Sequence, residues 1–316
     1  MKITAIDPIG VTEDRMKEME KIFREQGHDF EYYQERQTDQ QALKERIGHS
    51  EVIILTNQPL SGDIIRSAPN LQKIAVAFTG YDHIDLPACH ELGITVSNAA
   101  GFSDQAVAEL TVGLALDVLR KITENDARTR RGEVRHGQGR ELAGKTIGII
   151  GTGRIGLRTA QLFRAFGCNC IGYSRTKRDA AIEKGIGYVS LDELMKKADI
   201  ISVHTPLTEQ TKGLVGEKAI RLMKKTAILI NTARGPVVDT KALAEALNQN
   251  KIAGAGIDVY ANEPPLNENH PLLKTPNTVT VPHIGFSTRE GILLRSEIVV
   301  ENIQAWMKGQ PVRVVS

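Results

Sequence analysis

The sequence predicts an α/β protein made of two doubly wound parallel sheets, and three observations carry that expectation. Short runs of β-branched and other apolar residues alternate with stretches whose apolar residues recur at helical spacing, and alternating strands and helices imply parallel pairing through crossovers. The alternation proceeds once, is interrupted by a long amphipathic stretch, and restarts at Lys145. The length, 316 residues with 41% hydrophobic and 25% charged, is enough for about two ordinary domains.

In the first half the strand candidates are ITAI (3–6), EVIIL (51–55), LQKIAVA (71–77) and GITVSN (93–98), and helical spacing covers 13–26 and 40–47. The stretch 103–131 reads as one long helix, with Ser103 as N-cap and Ala106, Leu110, Leu114 and Val118 on one apolar stripe. From Lys145 the strand candidates are KTIGIIG (145–151), CNCIGY (168–173), DIISVH (199–204), TAILIN (226–231) and KIAGAGIDV (251–259), each followed by a turn signal or a helical pattern. TVTVPHIG (278–285) reads as a further strand and 288–307 as a closing helix.

Several function classes are excluded by composition. No apolar stretch approaches the roughly 18 uncharged residues of a membrane span, and the N-terminus lacks the apolar core of a signal peptide. A cytoplasmic protein is expected, without membrane or nucleic-acid partners, since the formal net charge is only +2. The arginines between positions 128 and 140 read as a solvated helix face or subunit contact rather than an anion site. Cys89, Cys168 and Cys170 read as reduced core thiols, because C-x-C on a buried strand is a poor match to zinc spacing, and no metal is expected.

The chemistry begins at TIGIIGTGRIGLRTAQLF, where Gly151, Gly153 and Gly156 form G-x-G-x-x-G directly after an apolar strand and before a helical pattern. Gly151 permits the tight turn, Gly153 lets a pyrophosphate approach the backbone, Gly156 lets helix and strand pack, and the helix N-terminus offers N–H groups to the anion. Arg154 and Ile155 of the same loop join the cofactor set. A methyltransferase or a purely structural turn is the competing reading of the motif alone. The context favours a Rossmann-like domain that binds a dinucleotide. An acid that would hold the ribose 2′-hydroxyl belongs roughly 20 residues downstream, yet the sequence there runs Ser174, Arg175, Thr176, Lys177, Arg178. Hydroxyls and guanidinium groups suit a 2′-phosphate that an aspartate would repel. NADP(H) is therefore the preferred cofactor, with NAD(H) possible if the loop is merely solvated.

Three later segments, NTARGPVVD, GIDVYANEPP and VPHIGFST, put Arg234, Asp258, Glu263 and His283 where strands should end. Ligands of open α/β sheets collect beyond the carboxyl ends of strands. Reducing a carbonyl with a nicotinamide needs a proton donor and a cation. His283 fits the first, with Glu263 orienting it and favouring its protonated form. Arg234 fits the second, its planar fork binding a carboxylate or a carbonyl oxygen.

With these residues assembled, the chain resembles the D-isomer-specific 2-hydroxyacid dehydrogenase family over nearly its whole length. The likeness rests on AFTGYDHID (77–85), GKTIGIIGTGRIG (144–156), HTPLT (204–208), LINTARGPVVD (229–239), GAGIDVYANEP (254–264) and VPHIG (281–285), six motifs in order. The resemblance implies that Arg234 binds substrate and that His283, supported by Glu263, exchanges the proton as hydride moves between nicotinamide and C2. It also implies that the backbone around Thr79 and Gly80, beside Phe78, holds the substrate carboxylate. Thr205, Thr232, Ala233, Asp258 and Gly285 match its cofactor-lining positions, and His204 is expected to be structural or cofactor-adjacent. A discontinuous substrate-binding domain (1–98 and 287–316) would surround a dinucleotide-binding domain (99–286), and a homodimer joined through the latter, partly by the helix at 103–131, is expected.

Ser174 and Arg175 depart from the aspartate of NAD-dependent members and look like the glyoxylate/hydroxypyruvate reductase branch. The substrate expected is accordingly a small 2-oxo acid, reduced to its D-2-hydroxy acid. The chain ends at Ser316 without the extra domain of some phosphoglycerate dehydrogenases, so control by serine through such a domain is not expected. Two alternatives share the resemblance. One is oxidation of formate or phosphite, against which Glu263 argues for formate, since that branch carries Gln beside the histidine. The other is a dinucleotide-sensing, corepressor-like binding protein, disfavoured by the lack of a disordered extension.

Overall fold

The computed structural model describes residues 1–134, 137–263 and 266–315. The chain divides into two compact units, 1–103 with 287–316, and 104–286.

The first unit holds a five-stranded sheet in the order β2-β1-β3-β4-β5, formed by β1 (Lys2–Ala5), β2 (Asp29–Tyr32), β3 (Val52–Leu55), β4 (Lys73–Val76) and β5 (Thr95–Asn98). All pairs are parallel, with Ile3 opposite both Phe30 and Val52, and Val76 opposite Asn98. Strands β3 and β4 are buried at every position, as parallel strands covered on both faces must be. Helices α1 (Glu13–Glu25), α2 (Gln40–Ile47), α3 (Gly62–Arg66) and α4 (Leu86–Glu91) connect them. Thr12 Oγ1 accepts from the Arg15 N–H and starts α1, which buries Met16, Met19 and Phe23. The closing helix, Arg289–Met307, is capped by Thr288, whose hydroxyl accepts from the Gly291 N–H, and packs Val299 and Ile303 into the same layer. Strand β2 is an element the sequence reading omitted. It lies at the edge of the sheet and buries only Phe30, so no apolar alternation marks it. Lys73, in the middle of β4, is fully buried and donates to Ser97 Oγ, which in turn donates to the Val312 carbonyl at 2.9 Å. Desolvation pushes its ammonium down to about 8.

The second unit holds a seven-stranded sheet in the order β12-β11-β10-β9-β6-β7-β8. Its elements run α5 (Asp104–Arg120), α6 (Ile122–Arg130), β6 (Thr146–Ile150), α7 (Arg154–Ala165), β7 (Asn169–Tyr173), α8 (Asp179–Glu183), β8 (Gly187–Tyr188), α9 (Leu191–Lys197), β9 (Ile200–Val203), α10 (Glu217–Arg221), β10 (Ile228–Asn231), α11 (Thr240–Asn248), β11 (Gly254–Ile257) and β12 (Thr278–Thr280). Every pair is parallel. Both units are thus doubly wound α/β sheets. In the second, β6 pairs with β7 on one side and β9 on the other, the point where strand order reverses and a ligand crevice opens.

The single helix expected over 103–131 is corrected to two. Lys121 adopts φ 54, in the left-handed region, between α5 and α6. The Asp117 carboxylate, one turn before the break, accepts from the Thr123 N–H at 2.9 Å and from its hydroxyl, so a side chain supplies the acceptor that a continuous helix would have found in its backbone. Arg128, Arg130 and Arg131 pair with Glu124, Asp126 and Glu133 along solvent; Arg135 of that cluster lies outside the described residues, as does Pro264 of GAGIDVYANEP. The three cysteines are free and buried. Among the described residues no helix is long and apolar enough to cross a membrane, and no group of three His, Cys, Asp or Glu residues could hold a metal ion.

Candidate active site

The glycine loop joins β6 to α7 in the second unit. Gly151 has φ 97, and a Cβ there would lie 2.6 Å from the His204 carbonyl oxygen and 3.0 Å from Thr205 Cγ2. A Cβ on Gly156 would lie 2.0 Å from the Gly151 oxygen, so helix and strand meet backbone to backbone. At Gly153, by contrast, a Cβ would meet nothing within 4 Å. This glycine leaves open space in front of the start of α7, which has no side-chain cap among the described residues. Nearby, Thr205 Oγ1 is buried without a partner. An uncapped N-terminus, an open approach over Gly153 and a waiting hydroxyl fit a pyrophosphate. Arg154 Nε is paired at 2.6 Å with Asp104 Oδ2 of α5, and Ile155 is half-buried. The predicted Thr232 is also engaged, its hydroxyl 2.9 Å from that of Thr111.

Ser174 leaves the adjacent strand end, where the Gly151 N–H donates to the Tyr173 carbonyl at 2.8 Å. Ser174 is half-buried and Arg175 to Arg178 are exposed. Among the described residues, the side chains of Arg175, Lys177 and Arg178 make no hydrogen bond or ion pair. His204, at the end of β9, contacts Ser202 Oγ through Nε2 at 2.7 Å, and desolvation lowers it to about 3, which keeps the ring neutral and unsuited to donating a proton near neutral pH.

Arg234, Asp258 with Glu263, and His283 follow the three neighbouring strands β10, β11 and β12 at their carboxyl ends. Asn231 ends β10 and fastens the turn that carries Arg234: its Oδ1 accepts from the Ala233 N–H at 3.1 Å and its Nδ2 donates to the Arg234 carbonyl at 3.0 Å. Arg234 Nη1 donates to the Ala233 carbonyl at 2.8 Å. Gly235 then lets this turn touch the β11 loop, since a Cβ would lie 2.1 Å from the Tyr260 carbonyl carbon. Asn231 and Gly235 were not singled out from sequence. Both lie inside LINTARGPVVD, and a buried Asn two residues before a turn is the signal that could have marked the first.

His283 Nδ1 lies 3.1 Å from Glu263 Oε2, with the imidazole 26% and the carboxylate 46% exposed. The histidine has φ 55, a conformation that costs a non-glycine residue about 1–3 kcal/mol unless its surroundings hold it. Asp258 supplies the hold. Its buried carboxylate accepts from the Ile284 N–H at 2.6 Å and the Gly285 N–H at 2.9 Å. A Cβ on Gly285 would come 2.7 Å from that carboxylate. Burial raises the Asp258 carboxyl above its usual range, opposed by those two N–H groups and by His283. Asp258 and Gly285, predicted as cofactor-lining, therefore also lock the backbone beside His283. Phe286 packs edge-on to the imidazole at 5.5 Å.

Phe78, Thr79 and Gly80 belong to the first unit, after β4. Phe78 meets Phe102 edge-on at 5.7 Å, the Thr79 carbonyl accepts from Asn98 Nδ2 at 2.7 Å, and Thr79 Oγ1 is buried without a partner. Beneath them the buried Arg295 guanidinium lies 5.7 Å from the Phe78 ring and 5.5 Å from Phe102, and desolvation lowers it to about 10. An arginine directly after the apolar run Ile292-Leu293-Leu294 of the closing helix was its sequence signal, and it went unread.

Comparison with known proteins identifies a family for the chain. Residues 112–285 match the family described as D-isomer specific 2-hydroxyacid dehydrogenase, NAD binding domain. A glyoxylate reductase of Aeropyrum pernix is 44% identical over 258 residues, 78% of this chain and 77% of that protein. A D-3-phosphoglycerate dehydrogenase of Methanocaldococcus jannaschii is 41% identical over 273 residues, 85% of this chain and 52% of that protein. Among solved structures, an acyclic imino acid reductase in complex with NADPH and D-Arg superposes with a TM-score of 0.91 at 33% identity, covering 100% of both chains.

Proposed function

The chain belongs to the D-isomer specific 2-hydroxyacid dehydrogenase family, and from that premise we propose that it reduces a small 2-oxo acid of the glyoxylate or hydroxypyruvate class to the D-2-hydroxy acid, using NADPH in preference to NADH. The observation that carries the proposal is the His283–Glu263 pair at 3.1 Å, at the carboxyl edge of the sheet that bears the glycine loop. The nicotinamide supplies a hydride to C2 when bound. With Nδ1 committed to Glu263, His283 Nε2 is the nitrogen that gives its proton to the developing alkoxide oxygen, and Glu263 stabilises the imidazolium before transfer. The Arg234 guanidinium binds the substrate's carboxylate or carbonyl oxygen. The turn at Phe78, Thr79 and Gly80 is assigned to the same carboxylate on the strength of its motif. Gly151, Gly153, Arg154, Ile155 and Gly156 hold the pyrophosphate, with Thr205, Thr232 and Ala233 beside it, and Ser174, Arg175 and Thr176 take the 2′-phosphate.

A homodimer is proposed through α6, none of whose residues is buried and whose Ile122 is 55% exposed; a cytoplasmic location fits the three free thiols. The test of function is turnover on glyoxylate, hydroxypyruvate, pyruvate, 3-phosphohydroxypyruvate and imino acids, each with NADPH and NADH, alongside oxidation of formate and phosphite. Highest kcat/KM on glyoxylate or hydroxypyruvate with NADPH supports the reading. Tight dinucleotide binding with no turnover, or turnover confined to formate or phosphite, overturns it.

A further inference from the structure

We propose that Tyr188 is a positioning residue for cofactor choice, its hydroxyl tying the basic loop at 174–178 to the glycine loop so that the 2′-phosphate meets an ordered set of donors. The inference rests on the assignment of that loop to the 2′-phosphate.

Thr152 is the variable residue inside G-x-G, and it is fully buried. Its side chain reaches towards β7, where Gly172 leaves room: a Cβ there would lie 3.0 Å from Thr152 Cγ2 and 2.7 Å from Ile186 Cγ2. Tyr188, in the two-residue strand β8, is the parallel partner of Gly172. This pairing brings its hydroxyl to 2.6 Å from Thr152 Oγ1. The same hydroxyl accepts from the Arg178 backbone N–H at 3.0 Å. A phenol can donate once and accept, so one oxygen serves both loops, whichever of the two hydroxyls donates to the other.

Among the described residues, this is the only hydrogen bond made by a backbone N–H of residues 174–178. From Arg175 onward the loop runs exposed to α8, with three cationic side chains that have no partner of their own among the described residues. Such a loop loses conformational entropy when it closes on a phosphate, and a tether that restricts it beforehand reduces that loss. The ribose 2′-hydroxyl of NADH draws far less on those cations, so the tether should matter mainly to the phosphorylated cofactor. Removing the phenol oxygen would also leave the Arg178 N–H and the buried Thr152 hydroxyl without their partner, which favours a shifted loop.

Calorimetric titration with two probes tests the inference: adenosine 2′,5′-bisphosphate, which carries the 2′-phosphate, and adenosine 5′-monophosphate, which does not. Tyr188→Phe is expected to weaken the bisphosphate about tenfold, equivalent to about 1.4 kcal/mol, and the monophosphate by less than about twofold. Thr152→Val should do the same, Thr152→Ser should retain most of the discrimination, and the double variant of Tyr188→Phe with Thr152→Val should be no worse than either alone, because both remove one connection. Equal weakening of both probes, additive effects, or unchanged discrimination would overturn the proposal. Arg175→Ala separates the two levels. If it leaves the ratio of the probes unchanged, the 2′-phosphate assignment fails and the inference with it; if it lowers the ratio while Tyr188→Phe does not, the tether alone is wrong.

Discussion

Replacing Gly235 with alanine asks whether the close approach of two loops is what places Arg234. A Cβ at this position would lie 2.1 Å from the Tyr260 carbonyl carbon, 2.4 Å from its oxygen and 2.5 Å from the Ala261 nitrogen. All three are backbone atoms, so no side-chain rotation relieves the clash, and ordinary contact needs 3.4 Å or more. One loop must therefore move by about 1 Å, and a displacement of that size at a positioning group costs on the order of 100-fold in rate. Overpacking of this kind also costs about 1–3 kcal/mol of stability. The assay is steady-state reduction of glyoxylate, with cofactor titration by nicotinamide fluorescence and a thermal melt of the same preparation. The expected result is kcat/KM down about 100-fold, cofactor affinity within about threefold, and cooperative unfolding at a lowered Tm. Unaltered kinetics in the folded variant would refute the reasoning, since Arg234 would then tolerate a moved turn.

Other substitutions probe separate parts of the account. Ser174→Asp combined with Arg175→Ala should lower kcat/KM for NADPH by about 10- to 100-fold relative to NADH, and an equal effect on both would remove the 2′-phosphate role. Asp258→Asn leaves an amide that can accept from only one of the Ile284 and Gly285 N–H groups, a loss of about 1.5–3 kcal/mol in hydrogen bonding; because burial raises the Asp258 carboxyl, neutralising it offsets part of this, so kcat should fall at least about tenfold while Tm falls little. A large Tm loss with normal kcat would contradict that division. For Lys73, burial lowers the ammonium from 10.5 to about 8, so its charge penalises folding fully below about pH 8, and the penalty fades towards pH 10.5 as the folded protein releases the proton before the unfolded chain does. Lys73→Met should accordingly be more stable at pH 7, by up to about 3 kcal/mol in urea unfolding, with the gap closing by pH 10; a constant gap would be the wrong outcome.

Much of the site was legible because its chemistry concentrates at strand ends. Apolar runs located β6, β7, β9, β10, β11 and β12, and the residue types following the last three were already unusual: an arginine, an acid beside a proline pair, a histidine. Elements escaped where burial was slight. Strand β2 buries one side chain and β8 is two residues long, so neither leaves a pattern. The break at Lys121 escaped for another reason. Lysine rarely takes positive φ, and the residues that enforce it, Asp117 and Thr123, look ordinary in a helical sequence. Supporting residues were the least legible of all. Gly235, Arg295 and Tyr188 act through partners distant in sequence, and only coordinates reveal that Gly235 touches Tyr260 or that Tyr188 touches Thr152.

The central claim, proton delivery by His283 to a carbonyl reduced by a bound nicotinamide, is tested most directly by comparing turnover with cofactor binding in His283→Asn. The account expects kcat for glyoxylate reduction to fall by about 100- to 10,000-fold, with the Kd for NADPH unchanged because the glycine loop and the loop at 174–178 are untouched. Turnover close to that of the unsubstituted protein, with binding intact, would contradict it.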